Sequence, residues 1–195
     1  MKNIILASNN KNKILQIKQI LPDCNILTLD DIGFEEDIVE DGNSFLENAL
    51  IKANAVRKFL NHSDIKYPIL AEDSGLCVNA LGGAPGIYSA RYAGGHGNDK
   101  ANRKKLLDNL KDKTDRSAYY YAIEVLMDCD GTYKVGEGKV DGIILDYEGK
   151  ENNFGYDPIF YSTELNKIFS ECSSEERNLV SHRARALKQL FSLDY

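Results

Sequence analysis

The apolar residues of this chain fall into short runs, and several runs end in a polar or acidic segment rather than continuing. Ile4–Ala7 is one such run, followed by a polar loop and then by apolar positions at helical spacing from Ile14. Ile69–Ala71 is another, and it delivers Glu72 and Asp73 to a predicted turn. Short strands that alternate with helices are typical of α/β proteins. We therefore predict an α/β fold with a central mixed, twisted sheet and flanking helices.

A hairpin and further helices complete the predicted order. Residues 119–127 and 132–140 flank Asp130-Gly131, a pair that favours a tight turn between two strands. Ser44 has the spacing of a capping box and is predicted to begin a helix. Ser181 is predicted to begin the last helix, with His182 and Arg183 facing outward. A length of 195 residues suits one domain or two tightly joined lobes.

The charge of the chain is acidic overall but unevenly distributed. There are 24 Lys and Arg against 30 Asp and Glu, a formal charge of −6, which argues against a nucleic-acid coat or an anionic membrane surface. Residues 19–51 hold nine acidic residues and no Lys or Arg, whereas residues 86–116 hold eight Lys or Arg and four Asp. Any anionic partner must therefore be bound locally, and we predict neither a nucleic-acid nor a membrane partner.

The cysteines and the apolar content favour a cytoplasmic protein. The four cysteines are more than 40 residues apart and form no C-x-x-C pair, so we interpret them as reduced. The first residues contain too short an apolar run for a signal peptide. No stretch approaches the ~20 apolar residues of a membrane span.

The loop after the first predicted strand is a candidate anion site. Ser8, Asn9, Asn10 and Lys13 precede a predicted helix, whose N-terminal amides and dipole favour an anion. The loop lacks the G-x-x-x-x-G-K-[ST] pattern of a P-loop. Ordinary helix capping explains the same residues, so both interpretations stay open.

Two acidic pairs and one aromatic turn are the other candidates. Glu40-Asp41 and Glu72-Asp73 could supply the hard oxygen ligands of Mg²⁺, although an acidic loop such as 40–41 is often only solvated. The turn at 154–157 joins two aromatic residues to a carboxylate and could stack on a base, or else pack in the core. A Ser/His/Asp hydrolase site from Ser74, His182 and Asp157 lacks a G-x-S-x-G elbow.

Six stretches, in this order along the chain, resemble the motifs of the inosine triphosphate pyrophosphatase family, specifically of its bacterial dITP/XTP branch. They are Ala7–Lys13, Glu40–Ala49, Ala71–Leu76, Leu81–Tyr92, Phe154–Phe160 and Ser181–Arg183. The resemblance spans nearly the whole chain. It implies one domain over residues 1–195, with two lobes around a nucleotide cleft. It also implies a homodimer, for which Leu81–Tyr92 is the candidate interface.

The resemblance further implies hydrolysis of non-standard purine nucleoside triphosphates, namely ITP, dITP and XTP. The products would be the monophosphate and pyrophosphate, and the reaction would cleanse the nucleotide pool. Two alternatives stay open. One is a pyrophosphatase for other modified nucleotides, and the other is a non-catalytic, nucleotide-binding regulator.

The site residues are carried over from the same resemblance. Glu40 and Asp73 would bind Mg²⁺, and Asp73 would also be the general base for the attacking water. Six residues would hold the triphosphate: Ser8, Asn9, Asn10, Lys11, Asn12 and Lys13. Eight more would bind the rest of the substrate, with Phe154 stacking on the purine: Ser74, Phe154, Gly155, Tyr156, Asp157, Arg177, His182 and Arg183.

The chain departs from the family pattern at two positions. Glu72 stands where the family generally has Asp, and Arg177 stands where it usually has Lys. Glu72 is one methylene longer than Asp, which changes how it could support a metal. Arg177 offers a planar fork in place of a point charge, so its contact with the base would have a different geometry.

Overall fold

A computed structural model describes residues 2–95, 97–150 and 154–193. Within these residues the strands are β1 (Lys2–Leu6), β2 (Cys24–Leu27), β3 (Ile69–Val78), β4 (Ser117–Met127), β5 (Tyr133–Ile144), β6 (Phe160–Ser162) and β7 (Lys167–Ile168). The α-helices are α1 (Lys11–Ile20), α2 (Phe45–Leu60), α3 (Asp99–Asn109), α4 (Ser174–Val180) and α5 (His182–Phe191).

The strands form one seven-stranded sheet in the order β2-β1-β3-β4-β5-β6-β7. Strand β1 is parallel to both β2 and β3, whereas β6 is antiparallel to β5 and β7. The predicted mixed sheet with flanking helices is thus confirmed. The predicted hairpin is also present, because β4 and β5 are joined by a turn in which the Asp128 amide donates to the Thr132 carbonyl oxygen.

Strand β3 is longer than the sequence indicates. The predicted turn at Glu72-Asp73 is wrong, because the strand continues to Val78 with every residue except Ser74 buried. A strand buried on both faces shows no alternation of apolar and polar residues, so its polar members look like a loop. Gly75 allows this continuation, because a Cβ there would lie 2.3 Å from the Gly86 carbonyl oxygen.

The helix ends also differ in part from the predictions. Helix α1 begins at Lys11, so Lys11 to Lys13 form its first turn rather than a loop. Ser181 follows the short helix α4, which the sequence did not indicate, and α5 begins at His182. His182 and Arg183 are buried, so the prediction that they face outward is wrong. The Arg183 guanidinium has hydrogen-bond partners inside the protein, which lowers the cost of burying its charge, and the His182 ring stacks on Tyr120.

The chain divides into two compact units. Unit 1 comprises the chain up to Asp73, Ala122–Gly138 and the residues from Arg183 on; unit 2 comprises Ser74–Tyr121 and Lys139–His182. The unit 1 core packs α1 and α5 against β1 through residues such as Ile17, Leu187 and Leu6. The unit 2 core is centred on residues of β4 to β6 and includes Tyr120, Val140 and Phe160. A single domain with two lobes around a nucleotide cleft stays a prediction.

Candidate active site

In unit 1, the carboxylate of Asp73 lies in a small polar cluster. Asn48 Nδ2 donates a hydrogen bond to Asp73 Oδ2 at 3.0 Å. The Lys52 ammonium lies 3.8 Å from Asp73 Oδ1 and 2.7 Å from Glu40 Oε2. Asn48 and Lys52 are four residues apart on α2, so both reach the same place from one helix face. One cationic group therefore contacts the two carboxylates that the resemblance assigns to a metal.

The loop that carries Glu40 is fixed to the same helix. The Gly42 amide donates to Asn48 Oδ1 at 2.9 Å, and the Ser44 hydroxyl caps α2 by accepting from the Glu47 amide. A Cβ at Gly42 would lie only 2.7 Å from Asn48 Oδ1, so this approach requires glycine. Asn48 thus joins the loop of Glu40 to Asp73.

The environment of Asp73 suits a general base. Burial raises the pKa of Asp73, and the charges of Lys52 and Lys13 together with the Asn48 hydrogen bond partly offset that rise. A carboxylate whose pKa is raised accepts a proton from water more readily than an ordinary aspartate does. Asp73 is also fixed in position by β3, as a catalytic base must be.

The donor set of this cluster fits Mg²⁺. Magnesium usually takes one or two protein carboxylates and fills its other positions with water and substrate phosphate oxygens. Within residues 2–95, 97–150 and 154–193, no group of three or more His, Cys, Asp or Glu side chains could hold a metal ion. A two-carboxylate site completed by a phosphate needs no such group. The contact of both carboxylates with Lys52 shows that the place accommodates a positive charge.

The start of α1 presents a lysine and a capped helix end. Asn10 Oδ1 accepts hydrogen bonds from the amides of Asn12 and Lys13 at 3.0 and 3.1 Å. The cap therefore uses these two amides. The ammonium group of Lys13, in the same turn, extends to the buried residue Glu72. It lies 3.2 Å from Glu72 Oε1. Asn9, Lys11 and Asn12 are exposed, and Ser8 accepts from the Asn10 amide.

Glu72 is the centre of a second buried cluster in unit 1. Arg183 donates to both Glu72 oxygens, with Nη2 to Oε1 at 2.7 Å, and it also donates to Gln16 Oε1. Burial raises the pKa of Glu72, but the charges of Arg183 and Lys13 outweigh this effect and hold it well below its ordinary value. Glu72 is therefore ionised and tethers both α1 and α5 to β3.

Glu124 is a second buried acidic residue near Glu72. It is fully buried, and no amide, hydroxyl or cationic group among the described residues donates to its carboxyl group. Burial, followed by the neighbouring Glu72 charge, holds the pKa of Glu124 well above its ordinary value. A raised pKa favours the protonated form of Glu124, which is the form that can share a proton with the neighbouring Glu72 carboxylate.

In unit 2, the residues predicted to bind the base gather around Asp157. Arg177 Nη1 donates to Asp157 Oδ2 at 3.0 Å, and the Tyr120 hydroxyl donates to Asp157 Oδ1, also at 3.0 Å. The His182 ring stacks on the Tyr120 ring with 4.9 Å between centroids and 13° between planes. Asp157, Arg177 and His182 are therefore brought together, and Tyr120 links them.

The turn that carries Phe154 is held by α3. The Gly155 amide donates to Asp99 Oδ2 at 2.8 Å, and Arg103 Nη1 donates to the Gly155 carbonyl oxygen at 2.9 Å. Tyr156 is buried and donates its hydroxyl proton to the Ser89 carbonyl oxygen. Phe154 itself is half-buried.

The structure divides the predicted site residues between the units. Unit 1 contains residues 8–13, Glu40, Asp73 and Arg183, and unit 2 contains Ser74, residues 154–157, Arg177 and His182. Arg183 contacts Glu72 and Gln16, and its predicted role at the base stays a prediction.

Sequence reasoning missed several residues that hold these groups in place: Gln16, Asn48, Lys52, Arg103, Tyr120 and Glu124. Only Asn48 and Lys52 carried a usable signal, namely their spacing on the helix that follows the acidic loop. The others belong to strands and helices where a polar residue has no distinguishing pattern.

The fold is that of an α/β protein with an open mixed sheet, and its unit 1 contains a buried aspartate beside a lysine and a second lysine at a helix start. This chain belongs to the Ham1 family, which it matches over residues 4–193. The predicted resemblance is thereby confirmed.

Relatives of known name and structure agree with this assignment. A dITP/XTP pyrophosphatase of Clostridium perfringens is 48% identical over 195 residues, covering 97% of this chain and 96% of the relative. The Staphylococcus aureus Ham1 protein has a solved structure that is 42% identical, with a TM-score of 0.85 and coverage of 98% and 97%. A HAM1 protein from Coxiella burnetii also gives a TM-score of 0.85, at 36% identity and 98% coverage of both chains.

Proposed function

We propose that this chain hydrolyses non-standard purine nucleoside triphosphates, namely ITP, dITP and XTP, between the α and β phosphates. The products are the nucleoside monophosphate and pyrophosphate. The observation that carries the proposal is the buried Asp73 carboxylate, which is held by Asn48 and lies beside Glu40 and Lys52. The names of the relatives support the substrate class.

Asp73 is the general base of the proposed reaction. It takes a proton from the water that attacks phosphorus, and its raised pKa favours that transfer. Lys13 stabilises negative charge on the leaving pyrophosphate, because its ammonium stands at the start of α1 with a side chain still 19% exposed. The ion pair with the buried carboxylate of Glu72 holds the Lys13 ammonium in this position.

Mg²⁺ is the cofactor that we propose for this cluster. When bound, it supplies positive charge against the phosphate oxygens of the substrate. Glu40 and Asp73 would hold it, and Asn48 keeps their two chain segments together.

Titration with Mn²⁺, followed by electron paramagnetic resonance, measures the affinity of this site for a divalent cation without turnover. Glu40→Gln should weaken binding, whereas Glu36→Gln, in the same acidic loop but exposed, should not. Equal affinity in both variants would remove Glu40 from the site.

Base recognition is assigned to unit 2. Donors such as Arg177 suit the carbonyl at position 6 of hypoxanthine or xanthine, and adenine has an amino group there that would leave a buried donor unpaired. The half-buried Phe154 offers a ring face for stacking. The substrate is thus a purine with oxygen at position 6.

A comparison of substrates tests the proposed function. We expect the purified protein with Mg²⁺ to turn over ITP, dITP and XTP with kcat/KM at least roughly a hundredfold above ATP, as expected for an unpaired buried donor at position 6. Similar rates on ATP would contradict the purine selectivity. A preference for modified pyrimidine triphosphates would favour the alternative pyrophosphatase, and tight binding without turnover would favour the regulator.

We also propose that the protein acts in the cytoplasm as a homodimer. All four cysteines lie within the described residues and are free, as is usual in a reducing compartment. No helix of the described residues is long and apolar enough to cross a membrane.

The proposed dimer interface is the segment Leu81–Tyr92. It carries the exposed Tyr88, and aromatic side chains are enriched at interfaces. Tyr88→Glu should therefore lower the molar mass measured by light scattering, and an unchanged mass would exclude this surface.

A further inference from the structure

The Lys52 ammonium contacts both carboxylates that we propose as metal ligands. It donates to Glu40 Oε2 at 2.7 Å and lies 3.8 Å from Asp73 Oδ1. The side chains of Lys52 and Asp73 are only 9% and 8% exposed, so solvent screens their attraction weakly. The protein itself therefore supplies a positive charge to the two carboxylates.

Helix α2 sets the place of this ammonium. Lys52 lies one turn after Asn48, whose amide group donates to the other oxygen of Asp73, Oδ2, at 3.0 Å. The Glu40 side chain is 28% exposed, and a lysine has a flexible four-carbon stem. The ammonium can therefore exchange this contact for water while the helix stays in place.

An ammonium and a divalent cation cannot both make full use of the same two carboxylates. An oxygen that accepts a hydrogen bond from Lys52 offers less of its negative charge to a metal ion. Two cations beside the same oxygens also repel each other, and this repulsion is strong where water is largely excluded. A divalent cation at Glu40 and Asp73 must therefore displace Lys52 or bind against its charge.

We propose that Lys52 is an internal competitor of the divalent cation: its ammonium occupies Glu40 and Asp73 until the metal displaces it, and it thereby lowers their affinity for the metal. The inference rests on the proposed function, in which these two carboxylates hold Mg²⁺. It makes an unusual demand, because the loss of Lys52 should strengthen metal binding. The loss of a residue that only supports the site would weaken it.

Titration with Mn²⁺ alone tests the inference without substrate or turnover. Electron paramagnetic resonance reports the bound fraction, and a mildly alkaline buffer keeps both carboxylates ionised. We expect Lys52→Met to bind Mn²⁺ roughly tenfold more tightly than the wild type, because the competing charge is gone. Lys52→Arg keeps the charge and should stay close to the wild type. Equal or weaker binding by Lys52→Met would overturn the competition.

Two other lysines separate competition from a general effect of charge. Lys58→Met removes an exposed ammonium from the same helix and should leave the affinity for Mn²⁺ unchanged. The Lys13 charge, like that of Lys52, opposes the rise in the pKa of Asp73 that burial causes, but its ammonium contacts Glu72. Lys13→Met should therefore strengthen binding less than Lys52→Met does. Equal effects of these two variants would show that the local field alone sets the affinity, and the proposal would fail.

The outcomes also separate this inference from the proposed function. If Glu40→Gln binds Mn²⁺ as tightly as the wild type, the proposed metal site is wrong and the role of Lys52 falls with it. If Glu40→Gln weakens binding and Lys52→Met does not strengthen it, only the role of Lys52 is overturned.

A second variant covers the case in which Lys52→Met does not fold. Lys52→Gln removes the charge but keeps an amide group that can donate to a carboxylate. It should also bind Mn²⁺ more tightly than the wild type, and an unchanged or lower affinity would overturn the inference.

Discussion

The guanidinium of Arg183 donates hydrogen bonds to both oxygens of the Glu72 carboxylate, and each side chain is only 1% exposed. The pair joins the first turn of α5 to the middle of β3. Glu72 is the residue next to the proposed base Asp73, so this ion pair helps to fix the strand that carries the base. It also accounts for the burial of an arginine that the sequence predicts to be on the surface.

Removing one member of this pair should destabilise the protein strongly. Arg183→Met leaves the Glu72 charge buried without its bidentate partner, and we expect the free energy of unfolding to fall by about 3–5 kcal/mol. Urea denaturation measures the change. Lys104→Met, which breaks the exposed pair with Asp108, is the control and should have little effect. A loss in Arg183→Met no greater than in this control would contradict the importance of the buried pair.

Glu124→Gln should alter how stability depends on pH. The pKa of Glu124 is raised in the folded protein, so the folded state binds more protons than the unfolded state above the ordinary Glu pKa. Stability should therefore fall as pH rises from about the unfolded value, near 4.3, toward the raised folded value. The Gln variant keeps a donor toward Glu72 and should lack that decline. Parallel unfolding curves for the two proteins across this range would argue against a protonated Glu124.

Lys13 and Lys11 should behave differently although they are two residues apart. Lys13→Ala removes the ammonium that faces Glu72 and the proposed pyrophosphate site, so kcat/KM for ITP should fall roughly tenfold or more. Lys11 is exposed, and Lys11→Ala should change kcat/KM far less. Steady-state kinetics on both variants measure the difference. Equal effects would indicate a diffuse electrostatic attraction rather than a placed lysine.

Asp73→Asn should separate catalysis from folding. Loss of a general base typically costs ~10²–10⁴ in kcat. The fold should remain, because an amide oxygen can still accept from Asn48, and because burial of a charged Asp73 is itself unfavourable. The melting temperature should therefore stay at or above that of the wild type. The control is Asp41→Asn, an exposed neighbour of Glu40 that should keep full activity. A variant at 73 that retains turnover would exclude Asp73 as the base.

The sequence predicted the order of strands and helices well, because β1, α1, α2 and the β4–β5 hairpin have local signals. Asn10 and Ser44 cap their helices, and Asp130-Gly131 occupies the hairpin turn. The extent of β3 could not be predicted, since Glu72 and Asp73 are buried by partners distant in the chain. Polar residues in the interior resemble loop residues until those partners are known.

Residues of the candidate site that belong to the family motifs could be predicted from the sequence. Residues that reach the site only through tertiary packing could not. Asp73 and Glu40 were identified from the resemblance, and the structure brings both to Lys52. Tyr120 has no sequence signal, because one tyrosine among three consecutive ones on β4 cannot be distinguished by pattern. Its relation to Asp157 depends on the fold, since the two residues are 37 positions apart.

The products formed from ITP test the central claim most directly. Phosphorus NMR of the purified protein with Mg²⁺ and ITP distinguishes the two possible cleavages without a coupled assay. We predict that IMP and pyrophosphate appear together in equal amounts, and that Asp73→Asn forms neither at a comparable rate. Release of single phosphate with IDP would contradict cleavage between the α and β phosphates.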